Sequence, residues 1–287
     1  VDTTAPTAEI TVKDNSWNKF VDTITFGLFF NEKQDVTITA SDAGSGVDTI
    51  SCYLSENTLT LEQVKALADT DWTEYTGKFS INAERKYVIY AKVTDNWGNA
   101  TYISSDGLIL DMTAPVISGV GNGKTYYTTQ KVTITDDYAL SRYLPPLSGY
   151  WKDISGTSYE VTLEGNREGT YTMKVEDACQ NTGTITVYMK PISALTEDIR
   201  DLTEDNVRKS DLSKLNQAEK ALKALDTTNA TDEEKKEIAG ALDNIGKLKT
   251  VLEEVTQVEA MIAALPERVE PWDAETEKRV LDTRSAY

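Results

Sequence analysis

Two short signatures each occur twice, in the same order, and this duplication constrains the first two thirds of the chain more than any other feature. Asp2-Thr3-Thr4-Ala5-Pro6 returns as Asp111-Met112-Thr113-Ala114-Pro115, and Val93-Thr94-Asp95-Asn96-Trp97-Gly98-Asn99 returns as Val175-Glu176-Asp177-Ala178-Cys179-Gln180-Asn181. Each D-x-T-A-P opens a unit and each D-x-x-x-N stands near the end of one. The strand before the second signature alternates: Tyr87, Ile89, Ala91 and Val93 face one way, Val88, Tyr90, Lys92 and Thr94 the other, and Tyr171, Met173 and Val175 repeat the pattern. Period-2 strands separated by turn sequences such as Ser41-Asp42-Ala43-Gly44-Ser45-Gly46 and Gly121-Asn122-Gly123 predict antiparallel β-sandwiches. The units fall at 1–110 and 111–190, the second smaller and the first with an added helical turn around 59–67.

After residue 190 the composition changes. Of 24 aromatic residues 22 precede Pro191, with 14 of 16 glycines, so the remainder reads as helix. Ile238, Leu242, Ile245, Leu248, Leu252, Val255, Val258, Ile262 and Leu265 recur by threes and fours and make one helical stripe. Thr231 with Glu234 forms a capping box at its start, and Pro266 stops it. An earlier helix carries Leu212, Leu215, Leu222 and Leu225, preceded by a short one with Leu195, Ile199 and Leu202. A third starts after Pro271 with Asp273 as N-cap and runs past Val280 and Leu281. The expected architecture is therefore multidomain: two all-β sandwiches, then an all-α antiparallel three-helix bundle over 191–287. Both chain ends read as cuts in a longer protein.

The composition also removes functions. The 287 residues include no histidine, so imidazole relays are excluded, and with two cysteines no four-ligand Cys/His zinc site can form. A net charge of −18, from 29 Lys and Arg against 47 Asp and Glu, excludes a nucleic-acid partner, whose phosphates need basic side chains. The longest apolar run, 26–30, is too short for membrane insertion. The self-repelling acidic surface fits a monomer. Cys52 and Cys179 lie in different units and are expected as free, buried thiols.

Four constellations remain. Asp95 with Asn99 and Asp177 with Asn181 offer oxygens to calcium. The same residues make turns by bonding nearby amides, and without a D-x-D-x-D run the turn reading is adopted. Trp17, Trp72, Trp97 and Trp151 could stack on sugar rings, although indoles in small sandwiches usually pack on the core. The acidic residues Glu233, Glu234, Glu237, Glu253 and Glu254 lie opposite the leucine stripe and read as a solvated face rather than as a glycosidase pair. Lys92 and Asn99 could form an isopeptide bond, but the alternation turns Lys92 outward. No catalytic, cofactor-binding or metal residue is assigned.

The first unit resembles the immunoglobulin-like modules of large surface proteins from Gram-positive gut bacteria. The resemblance is carried by Asn15-Ser16-Trp17, Thr25-Phe26-Gly27-Leu28-Phe29-Phe30, Ala40-Ser41-Asp42-Ala43-Gly44-Ser45-Gly46-Val47 and Thr94-Asp95-Asn96-Trp97-Gly98-Asn99. The second unit shares Gly123-Lys124-Thr125-Tyr126-Tyr127 and Val132-Thr133-Ile134-Thr135-Asp136-Asp137 but departs at Leu144-Pro145-Pro146-Leu147 and at Cys179-Gln180. The stretches 262–266 and 284–287 resemble small helical repeats that follow such modules. This resemblance implies an extracellular, wall-associated, non-catalytic protein serving as spacer or adhesion module toward a host glycan or surface protein. The alternative is an accessory carbohydrate-binding region of a secreted glycan-degrading enzyme.

Overall fold

The computed structural model describes residues 1–265 and 274–286. The chain is mostly β-sheet, with a helical C-terminal region. Its first part contains β1 (Thr7–Val12), β2 (Asn15–Trp17), β3 (Leu28–Phe30), β4 (Gln34–Ser41), β5 (Val47–Ser55), α1 (Leu61–Lys65), β6 (Thr73–Glu74), β7 (Phe79–Ile81), β8 (Arg85–Asp95), β9 (Ala100–Ser104) and β10 (Leu108–Leu110). One sheet has the order β2-β1-β4-β7 and the other β3-β10-β8-β5-β6, with β9 also on β8. Alternate residues of β1 and β4 (Ala8, Ile10, Val12; Val36, Ile38) point into one core with Phe30, Cys52, Ile89, Val93, Ile103 and Leu108 from the facing sheet. That is the burial a period-2 strand requires when one face is covered.

β8 departs from simple alternation. Tyr87 through Ala91 are all buried, because the opposite face of the strand is also covered. Val88 and Tyr90 join Val64 of α1 in a second cluster, against which Phe20, Ile24, Leu59, Trp72 and Tyr102 pack. The Tyr90 hydroxyl accepts a 2.7 Å hydrogen bond from Leu59 N, satisfying the polar end of a fully buried ring.

The next stretch holds β11 (Val116–Ser118), β12 (Thr125–Tyr126), β13 (Gln130–Thr135), β14 (Leu140–Leu144), β15 (Lys152–Asp153), β16 (Ser158–Leu163), β17 (Gly169–Asp177) and β18 (Thr182–Met189). They form a β11-β13-β16 sheet and a β12-β18-β17-β14-β15 sheet. Val132 and Ile134, then Tyr171, Met173 and Val175, then Ile185, Val187 and Met189 are the inward residues.

Among the described residues three α-helices follow: α2 (Leu212–Lys223), α3 (Asp232–Ala263) and α4 (Ala274–Ala286). The segment with Leu195, Ile199 and Leu202, expected as a short helix, forms 3-10 turns at Ile192–Leu195 and Glu197–Ile199. Thr231 caps α3 with the expected reciprocal box to Glu234. Ile238, Ile245, Leu248 and Leu252 meet Leu215, Ala218 and Leu222 of α2 in one core. The stripe leaves that core at Val255 and Ile262, which are exposed, because the 12-residue α2 is far shorter than the 32-residue α3. In α4 Thr276 and Thr283 are the buried residues, while Val280 and Leu281 are exposed, against the expected stripe. The expected N-cap Asp273 and the Pro266 stop lie outside the described residues. Among the described residues no helix is long and apolar enough to cross a membrane.

Contacts divide the chain into two compact units. One comprises Val1–Ile117, Ile134–Tyr159 and Met173–Thr184; the other comprises Ser118–Thr133, Glu160–Thr172 and Ile185–Tyr287.

Candidate functional site

The two copies of the signatures build the same carboxylate cluster twice, both times inside the first compact unit. In the first copy Asp95 Oδ1 accepts from Trp97 N at 2.9 Å and Asn99 N at 2.8 Å, and Asn99 Nδ2 donates to Asp95 Oδ2 at 2.7 Å and to the Asp2 carbonyl at 3.1 Å. Asp2 Oδ1 accepts from Thr4 N and Asp2 Oδ2 from Ser45 N, at 2.9 and 2.7 Å. Asp42 Oδ2 accepts from Gly44 N and Gly46 N. In the second copy Asn181 Nδ2 donates to the Asp111 carbonyl and to Asp177 Oδ2, both at 2.8 Å, Asp177 Oδ1 accepts from Asn181 N, and Asp111 Oδ1 accepts from Thr113 N. Asp136 Oδ1 takes the place of Asp42, accepting from Tyr138 N and Ala139 N.

Carboxylate oxygens of Asp2, Asp42 and Asp95 lie within 4.8 Å of one another, and so do those of Asp111, Asp136 and Asp177. The turn reading of Asp95 and Asp177 accounts for their hydrogen bonds. Asp42 and Asp136, the third member of each cluster, are not legible from the signatures. They stand 40 residues after Asp2 and 25 after Asp111, so no common spacing points to them. Three convergent carboxylates are the arrangement a hard cation uses, with the rest of its six to eight oxygens coming from carbonyls or water.

Electrostatically the copies differ. Hydrogen bonds from the Thr4 and Ser45 amides hold the Asp2 carboxyl below its usual range. Burial works against ionisation of Asp95, but the Asn99 and Trp97 bonds outweigh it and lower its pKa. At the second cluster desolvation dominates. It pushes Asp111, 2% exposed, up to about 6 despite the Thr113 amide, with Asp136, Asp177 and Glu84 adding repulsion. Asp177 is also raised, by burial first.

The second copy is braced from both sides. Glu84 Oε1 accepts from Met112 N and, with Oε2, from Thr113 Oγ1, all at 2.9 to 3.0 Å. Asp111 N bonds the Phe30 carbonyl, and the buried Cys179 Sγ lies 3.9 Å from the Ile109 carbonyl. Residues 111–115 are thus tied to Phe30 and Glu84 on one side and to Asn181 on the other. Cys52 and Cys179 are both free and buried, as expected. Burial pushes the Cys179 thiol up to about 12, with Asp177 and Asp111 adding to it.

A comparable tie lies within the second compact unit and corrects the reading of Glu234 as solvated. Glu234 is 6% exposed. Its carboxylate accepts from Thr129 N at 2.9 and 3.1 Å, Thr129 Oγ1 at 2.8 Å and Thr231 N at 2.8 Å. Its cap position put it at the start of α3; nothing in the sequence indicated that Thr129, 105 residues earlier, would meet it there. Gly165 closes over the pair, since a Cβ there would sit 2.3 Å from Glu234 Oε1.

The tryptophans separate. Trp17 packs on the first core, Trp72 lies 6.3 Å from Tyr53 and 6.2 Å from Tyr102, and Trp151 has the Arg142 guanidinium over its ring at 4.7 Å. Trp97 is 59% exposed at its turn. Lys92 pairs with Asp69 at 3.3 Å while Asn99 is held in the first cluster, so the structure does not bring the isopeptide candidates together.

No family model and no curated protein matches the sequence. Among solved structures the chain is similar to fibronectin(III)-like modules of Clostridium thermocellum CbhA, at 13% identity over 63% of this chain and 94% of that one, with a TM-score of 0.26. It is similar to the Escherichia coli adhesin FdeC at 16% identity, over 63% of each chain, with a TM-score of 0.29. It is similar to the Yersinia pseudotuberculosis adhesin InvE at 11% identity, over 65% of this chain and 59% of that one, with a TM-score of 0.31. The chain spans less than two thirds of either adhesin. At these scores the likeness assigns no activity or ligand.

Proposed function

We propose that the chain is a non-catalytic part of an extracellular, wall-associated bacterial surface protein, acting as a spacer and as an adhesion module for a host glycan or protein. In this reading residues 1–110 and 111–190 are tandem immunoglobulin-like sandwiches and 191–287 a helical bundle. The observation that carries it is the 111–115 joint. Proline fixes its own φ and restricts the residue before it, and side chains from both flanking segments hold the intervening amides and carbonyls. A joint built this way transmits orientation, which a spacer needs. The clustered carboxylates serve the same end, because each already accepts hydrogen bonds from turn amides. A spin-label distance distribution across the joint tests the reading; a broad distribution in the unmodified protein removes it.

A further inference from the structure

A groove of about 510 Å³ runs along the short edge strand β6, within the first compact unit. Its lining includes the rings of Tyr75 and Phe79 together with Leu54, Asp71 and Glu74. Tyr75 and Phe79 meet edge to face at 6.3 Å and rest on the core, which fixes both rings. Asp71 spends one carboxylate oxygen on Ala68 N at 3.0 Å. Nearby lysines are committed elsewhere, Lys78 to Asp35, Lys65 to Glu62 and Lys92 to Asp69. Among the described residues neither Asp71 nor Glu74 has a cationic partner.

We propose that this groove binds a neutral sugar, a hexose or N-acetylhexosamine unit of a glycan; the proposal rests on the adhesion reading above and gives it a site. A pyranose presents an apolar C–H face and a rim of hydroxyl donors. Rigid aromatic walls take the first, and unneutralised carboxylates accept from the second. The size lies inside the roughly 300–1,000 Å³ of small-ligand sites. Charge narrows the class further: two free carboxylates on a chain of net charge −18 repel sialylated, uronic or sulfated sugars.

The test is an array of neutral glycans, each also present in sialylated form, followed by calorimetric titration of the best neutral binder. The expected result is binding of neutral glycans, weakening on sialylation, and a loss of affinity of about tenfold in Glu74→Ala, as for removal of a charged hydrogen-bond acceptor. Glu74→Arg should lose the neutral glycan and reverse the effect of sialylation. Glu74 is exposed on a two-residue strand, so both variants should melt with the parent. Neutral binding indifferent to both variants overturns the groove while leaving glycan adhesion standing, and binding of anionic glycans alone also overturns it. If no glycan binds, the groove and the glycan half of the adhesion reading fall together, and the spacer role is judged separately by the joint distances.

Discussion

At the scale of single residues, the fourth position of the repeated turn isolates one backbone term. Gly98 has φ +87 and Gln180 φ +71, a region in which an L side chain crowds the following carbonyl. Gln180→Gly should therefore stabilise the protein by roughly 0.5–1 kcal/mol, after allowance for the extra freedom glycine gives the unfolded chain. Gly98→Ala, whose Cβ would meet nothing within 4 Å, should cost about 1 kcal/mol through the backbone alone. Urea unfolding measures both, and a stabilised Gly98→Ala would contradict the conformational argument. Asp111 supplies a pH effect of known sign. Its folded-state pKa of about 6 lies above the ordinary 3.8, so its favourable contribution is complete below about pH 4 and is lost as the pH rises through about 6. Asp111→Asn keeps the acceptor for Thr113 N and cannot ionise. It should raise the melting temperature at pH 7 in EDTA-containing buffer and flatten the fall between pH 4 and 6; equal slopes in the two proteins would refute the assignment.

Among the elements, α3 shows which interactions sequence periodicity captures. Its cap and the buried half of its stripe follow from local spacing, since both are set within one helix. The exposure of Val255 and Ile262 was not legible, because it depends on where α2 ends in space. The tie between Glu234 and Thr129 was hidden for the same reason: a carboxylate at a helix start looks the same whether it faces water or a distant strand. β8 is the sheet counterpart, where alternation gave the inward face but could not show that 18–27 and 56–72 would cover the other. Glu234→Ala should cost about 3 kcal/mol or more, because it leaves the Thr129 amide and hydroxyl and the Thr231 amide without their acceptor. Glu234→Gln should cost less. Thermal unfolding followed by circular dichroism at 222 nm reads the difference, and a loss below 1 kcal/mol would mean that the carboxylate merely fills space.

For the molecule as a whole, the duplicated signatures pointed to the paired turns at Asp95–Asn99 and Asp177–Asn181, but not to the third carboxylate of each cluster or to the part played by Glu84. Those residues come from loops whose distance along the chain differs between the copies. In the proposed reading residues 111–115 form a fixed joint rather than a hinge. Nitroxide labels at Glu62→Cys and Asp153→Cys, both exposed positions in the first compact unit, report on it directly by electron–electron dipolar spectroscopy, while the native thiols are buried. A fixed joint gives one narrow distance distribution in the parent and a broadened one when Glu84→Ala and Asn181→Ala are combined. A distribution already broad in the parent, or one unchanged by the double substitution, would contradict it.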